Sequence, residues 1–343
     1  MVLYLIVFLI FPASVLYNIR VERKGCFNDG LISPGESAIL KGVAAWFIMI
    51  SHFTSNIAVY GYDLGPAKVY EWFGGIGVCM FFFLSGYGLM MSAKKTQPSL
   101  RRLVRRILSV LIPMMAIQLI FWLAYYGEGK GLLECLLHIT GLDGSLWFLS
   151  EIIIIYVIFN IAVKVFKRHS VAAAAVMCLI MSAVLLILRF PARWYNANLV
   201  FALGMLFAEK REVIITFFKK QYWLKFIICA AFFAVLSLAY SLLKPHVVSD
   251  FFKLLSGCAL NVFLFSAMLK LRLRSRIMHF FGKMSLHMFV VHVNVWAIAY
   301  ALFGSNLLIT FIVSLVSSAV LTIAAYYAEQ GIRKIFKSIK KAG

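Results

Sequence analysis

The chain has 343 residues, of which 63% are hydrophobic and 14% charged, and it carries a formal net charge of +21. With a mean hydropathy of +0.92 and no polar stretch long enough to fold alone, these values exclude a soluble domain and define a polytopic membrane protein. The six cysteines show no CxxC spacing, so they point to neither a zinc site nor a disulfide framework and read as small apolar side chains.

Apolar runs of about 20 residues, the length a hydrocarbon core demands, occur near 2–19, 38–58, 74–92, 105–126, 145–163, 171–188, 196–208, 223–243, 251–269, 284–303 and 306–327. The expected fold is an all-α transmembrane helical bundle of about 11 spans. The first run has no basic residue ahead of it and reads as a retained anchor rather than a signal peptide. The stretch 128–142 is amphipathic and reads as lying at the interface. The seventh run, 196–208, is the shortest: either a tilted span reaching past these limits or a re-entrant segment. Without it, every later element changes orientation.

Charge gives an independent view of this layout. With the N-terminus outside, the loops assigned to the cytoplasm hold 28 of the 34 Lys and Arg residues, the asymmetry that sets membrane orientation. The chain is therefore read N-terminus out and C-terminus in. The positive charge becomes topology and attraction to anionic lipid headgroups, with no nucleic-acid module beside it.

Polar groups at membrane depth are costly and usually face the bundle interior or a wet cavity. Here they are His52, Ser85, Glu151, Asn160, Asn261, His287, His292 and Asn294. In AILKGVAAWFIMISHF, His52 follows Lys41 by eleven positions; on a helix the two share one face within about 20° and stand about 16 Å apart along the axis. Counting about 1.5 Å per residue from the span ends puts His52 and Glu151 at matching depth, Ser85 near mid-membrane and His292 on its cytoplasmic side.

Each of these has a plainer reading. A buried histidine can simply hydrogen-bond a neighbouring helix, and Ser85 can let two helices approach. Glu151 is either the carboxylate that fixes an imidazole tautomer or an acid paired elsewhere. The run KKTQPSLRRLVRRI is a topology signal or, through arginines at a helix start, a site for bidentate phosphate recognition. Tyr60, Tyr62, Tyr70, Trp72, Trp194 and Tyr195 in the outer loops suit sugar stacking and equally an interfacial aromatic belt.

The segments AILKGVAAWFIMISHF, GGIGVCMFFFLSGYGLMMSAKK, RRLVRRILSVLIP, SLWFLSEIIIIY, NLVFALGMLF and FFGKMSLHMFVVHVNVW resemble, in order and spacing, the marks of the integral membrane acyltransferase family 3. The resemblance covers roughly 36–327 as a ten-helix core, leaving an extra span with a basic loop at 1–35 and a basic cytoplasmic tail at 328–343. It implies a multi-span enzyme that takes an acyl group, commonly acetyl, from cytoplasmic coenzyme A. The acceptor would be a hydroxyl of a surface or lipid-linked glycan, and the site the cytoplasmic membrane of a bacterium.

On that resemblance His52, Lys41, Ser85 and Glu151 are the catalytic candidates. Lys41, Arg102, Arg105 and Arg106 would hold the acyl-CoA phosphates, and Tyr87, Trp147 and His292 would line the substrate path, with no metal. Three positions depart from the family pattern: Lys41 stands where Arg is usual, Cys79 where an acid is frequent, and Glu151 one position off the usual glutamate. Imidazole suits the chemistry as base or transient acyl carrier. The alternative is an exporter or flippase of a polysaccharide or lipid-linked saccharide, against which stands the absence of any internal repeat in the sequence.

Overall fold

The computed structural model describes residues 11–28, 30–59, 65–243 and 247–342. In chain order these form α1 (Phe11–Leu16), β1 (Arg20–Val21), α2 (Pro34–Val59), α3 (Phe73–Lys95), α4 (Leu100–Phe121), α5 (Leu132–Thr140), α6 (Trp147–Val165) and α7 (Ser170–Ile187). There follow α8 (Asn198–Glu209), α9 (Arg211–Lys219), α10 (Tyr222–Leu242), α11 (Val247–Met268), β2 (Leu271–Arg272), α12 (Arg276–Lys283), α13 (Ser285–Phe303) and α14 (Leu307–Ala342). The apolar runs are helical because a backbone in hydrocarbon must satisfy its own hydrogen bonds.

Among the described residues nine helices are long and apolar enough to cross a membrane. They are α2, α3, α4, α6, α7, α10, α11, α13 and α14, and each falls on a run expected from the sequence. Residues 2–10 of the first expected span, and the loop tyrosines Tyr60 and Tyr62, lie outside the described residues. α5 has no buried residue and ends at Gly141 in the left-handed region at φ 69°, the usual helix stop; it is the amphipathic stretch expected at the interface.

The short seventh run is α8. Its 12 residues rise about 18 Å, too little for a hydrocarbon core of about 30 Å. Residues 193, 196 and 197 just ahead of it line a cavity. Irregular backbone is tolerated at membrane depth where it lines such a cavity. Its far end reaches Lys94, whose Nζ donates to the Ala208 carbonyl at 2.7 Å. α8 packs on α3 through glycine: a Cβ on Gly86 would overlap the Phe201 carbonyl, and one on Gly204 the Phe83 carbonyl. Gly86 of LSGYG thus lets two helices touch.

The loop after α1 is tied to the α11–α12 junction. β1 pairs antiparallel with β2, and Asn28 Nδ2 donates to Glu36 Oε1 at 2.9 Å and to the Leu271 carbonyl at 3.0 Å. α2 lies at the centre, packed against α3, α12 and α13.

Candidate active site

α2 is one uninterrupted helix from Pro34 to Val59, so Lys41 and His52 keep the shared face and the axial separation of about 16 Å that their spacing predicts. One residue past Lys41, Gly42 lies against α12. A Cβ on Gly42 would overlap the Met278 carbonyl, and one on Gly282 the Ala38 carbonyl. The two backbones touch directly and fix how α2 stands beside α12 and α13.

Ten residues beyond each of these glycines stands a histidine, His52 after Gly42 and His292 after Gly282. The equal spacings carry both rings to one level: Nε2 of His292 lies 3.3 Å from Nδ1 of His52, with ring centroids 5.1 Å apart. This corrects the depth expected for His292. Counting from the span end takes the start of α13 as the membrane surface, whereas the glycine contact sets that start level with Ala38 and Gly42.

The hydrogen bonds assign the protons. Nδ1 of His292 lies 2.7 Å from the Met288 carbonyl, an oxygen that can only accept, so Nδ1 carries the hydrogen. A neutral His292 then offers only a lone pair at Nε2, and Nδ1 of His52 must donate to it. The remaining nitrogen of His52, Nε2, is left with a lone pair. His292 is 1% exposed, and α13 is held by three polar links. Asn294 Nδ2 donates to Gln118 Oε1 at 2.6 Å, Trp296 Nε1 to Ser318 Oγ at 3.0 Å, and the Tyr300 hydroxyl to the Phe53 carbonyl at 3.2 Å.

His52 lines a cavity of about 550 Å³, large enough for a small ligand. Trp72, Trp147 and Tyr240 supply aromatic wall, and Glu71, Arg193 and Lys253 its charged groups. It reaches the surface at Ser55 and Arg193, both exposed. The loop over it is braced by Asp250, which accepts from the Tyr195 hydroxyl at 3.3 Å and from Asn196 Nδ2 at 3.4 Å. Burial, reinforced by this carboxylate, raises the Tyr195 phenol above its usual range.

The other candidates lie elsewhere. The cavity lining includes Trp147 but none of Ser85, Tyr87, Glu151, His292, Lys41, Arg102, Arg105 or Arg106. The Tyr87 hydroxyl accepts from Arg211 Nε at 3.1 Å, beyond the far end of α8. Glu151 is 1% exposed, and neither carboxyl oxygen has a hydrogen-bond partner among the described residues; Nδ1 of His52 pairs with His292 instead. His287 sits 2.8 Å from Glu329 Oε2 and clamps α13 to α14.

The arginines gather at the start of α4, where Ser99 caps the helix by accepting from the Arg102 amide. Arg102 donates to the Gln97 carbonyl, Arg106 reaches Ser92 Oγ at 3.4 Å and lies over the Phe159 ring, and Arg105 is exposed. Three guanidinium groups near a helix N-terminus fit a polyphosphate. They stand at the opposite end of α3 from the cavity. Between the two ends the described voids, such as the one walled by Leu40, Met80 and Phe83, hold only about 10 Å³ each, far too little for a pantetheine arm.

Sequence reasoning missed Gly42 and Gly282 as the contact that brings the histidines together, and Arg193 and Lys253 as cavity groups. The first signal was present as the repeated glycine-to-histidine interval; the second as basic residues on the side where such residues are scarce.

A family model described as an acyltransferase domain, Acyl_transf_3, matches residues 37–327. The chain belongs to that family and is a membrane acyltransferase. Comparison with curated proteins gave no match, and comparison with solved structures gave none either.

Proposed function

We propose that the protein moves an acyl group, acetyl in the first instance, from cytoplasmic acyl-CoA to a hydroxyl of a cell-surface or lipid-linked glycan, with His52 as general base. The observation that carries this reading is the pair of contacts that leaves a lone pair on His52 Nε2 in a ligand-sized cavity. Nε2 takes the proton of the acceptor hydroxyl as its oxygen attacks the thioester carbonyl. When the tetrahedral intermediate collapses, the carbon–sulfur bond breaks and the coenzyme thiolate leaves with the proton held by His52. His292 positions the ring and spreads the charge it gains.

In this reading the basic end faces the cytoplasm and the cavity faces outward, in the cytoplasmic membrane of a bacterium, as the distribution of Lys and Arg supports. Arg102, Arg105 and Arg106 hold the coenzyme phosphates, and the pantetheine arm follows the face of α2 from Lys41 toward His52. That path is packed, so donor binding must part the side chains along α2. Radiolabelled acetyl-CoA bound to the purified protein tests the reading. Specific binding weakened by the arginine substitutions, with label passing to glycan only when His52 is present, supports it; absence of specific binding favours a saccharide exporter without transfer chemistry.

A further inference from the structure

Two cations in the cavity have no counterpart in the chemistry described so far. Only six of the 34 basic residues lie on the cavity side of the charge map, yet two of them, Arg193 and Lys253, line the cavity. Neither has an ion-pair partner among the described residues. Asp250, one helical turn before Lys253, is engaged by Tyr195 and Asn196. Glu71, the acid in the wall, is not paired with either. Lys253 is held against the wall, its Nζ 5.6 Å from the Tyr240 ring centroid and its Cε 3.7 Å from the place a Cβ on Gly75 would take.

Two cations with no ion-pair partner among the described residues, Arg193 exposed at the mouth and Lys253 half-buried, in a cavity that ends on a histidine, bind anions. We infer that the acceptor is an anionic saccharide or polyol unit whose carboxylate or phosphate lies between Arg193 and Lys253 while its hydroxyl faces His52. Arg193 supplies a planar fork for two oxygens, and Lys253, on α11, a point charge. Trp72, Trp147 and Tyr240 are placed to cover the apolar faces of the ring. This inference rests on the acyltransferase reading for the identity of the cavity as the acceptor site, but the binding it predicts needs no acyl donor.

The test is binding of three trimers to the full-length protein in lipid nanodiscs: an oligogalacturonate for carboxylate, an oligo(glycerol phosphate) for phosphate, and maltotriose as the neutral control. We expect one anionic trimer to bind at least tenfold tighter than maltotriose and to weaken with salt. The Arg193→Gln/Lys253→Gln variant should lose that preference and Arg193→Lys/Lys253→Arg should largely keep it, with thermal stability confirming that both fold. Which trimer wins distinguishes carboxylate from phosphate. Equal binding of all three, no binding of either anionic trimer, or full anionic preference in the double glutamine variant overturns the inference. If label from acetyl-CoA reaches neutral glycan without anion preference, the acceptor inference fails alone; if anions bind and no label moves under any condition, the transferase reading fails alone.

Discussion

Nε2 of His292 accepts a hydrogen bond from Nδ1 of His52 across 3.3 Å, and the Met288 carbonyl behind it decides which nitrogen holds which proton. Replacing His292 by Leu removes the acceptor, so His52 is free to take the other tautomer. Mis-set tautomers in triad-like sites cost about 10²- to 10⁴-fold in turnover. The expected result is a fall in kcat within that range with little change in either KM. His292→Gln, which keeps an acceptor oxygen, should recover part of the rate and shift the pH profile. A thermal melt displaced in proportion to the lost activity would mark His292 as merely structural.

The register of the two histidines depends on Gly42 and Gly282. A methyl on either meets backbone, which cannot move aside as a side chain would. Gly282→Ala should therefore cost about 1–3 kcal/mol and lower transfer more than its stability loss explains. Gly88, where an added Cβ meets nothing within 4 Å, is the matched control, and its alanine variant should be at least as stable as the parent. Thermal unfolding of the two variants side by side checks this.

At the basic end, the arginines separate by their internal partners. Arg105 is exposed, while Arg106 holds Ser92 and lies over Phe159. Arg105→Gln should raise KM for acyl-CoA about tenfold, the value of one charge-assisted hydrogen bond of about 1.5 kcal/mol, and leave unfolding unchanged. Arg106→Gln should raise KM and also lower the melting temperature. Kinetics with dephospho-CoA thioesters would show the dependence shrinking for whichever arginine holds the missing phosphate.

Glu151 is buried with both oxygens unpartnered among the described residues, and a group left so costs about 1–3 kcal/mol. Glu151→Met, close in volume, should raise stability by a similar amount. Because His52 already has His292 to orient it, the variant should retain transfer. Loss of activity in a stabilised Glu151→Met protein would give the carboxyl a chemical role that the geometry does not supply.

Much of this was legible in the sequence because the physics is local. Nine of the apolar runs are, among the described residues, helices long and apolar enough to cross a membrane, since hydrocarbon leaves a backbone no other choice, and the spacing of Lys41 and His52 held because α2 is unbroken. What escaped was relative placement. Depth counted from helix ends misplaced His292, since the level of α13 is set by a glycine contact with α2 and not by its own apolar limits. Glu151 and His52 share a depth along their own helices, yet His52 is partnered across the bundle by α13. α8 is too short to span on its own, and hydropathy does not register the cavity that the loop before it lines.

On the proposed mechanism, acyl groups leave coenzyme A at the basic end and reach a hydroxyl through His52. The most direct measurement supplies acetyl-labelled coenzyme A to the cytoplasmic face of sealed vesicles and follows ester-linked label on glycan at the opposite face, for the parent protein and His52→Ala. Label should reach the glycan with the parent, and none with His52→Ala inserted at equal level. Undiminished labelling by His52→Ala, or labelling only when the coenzyme is supplied on the cavity side, would contradict it.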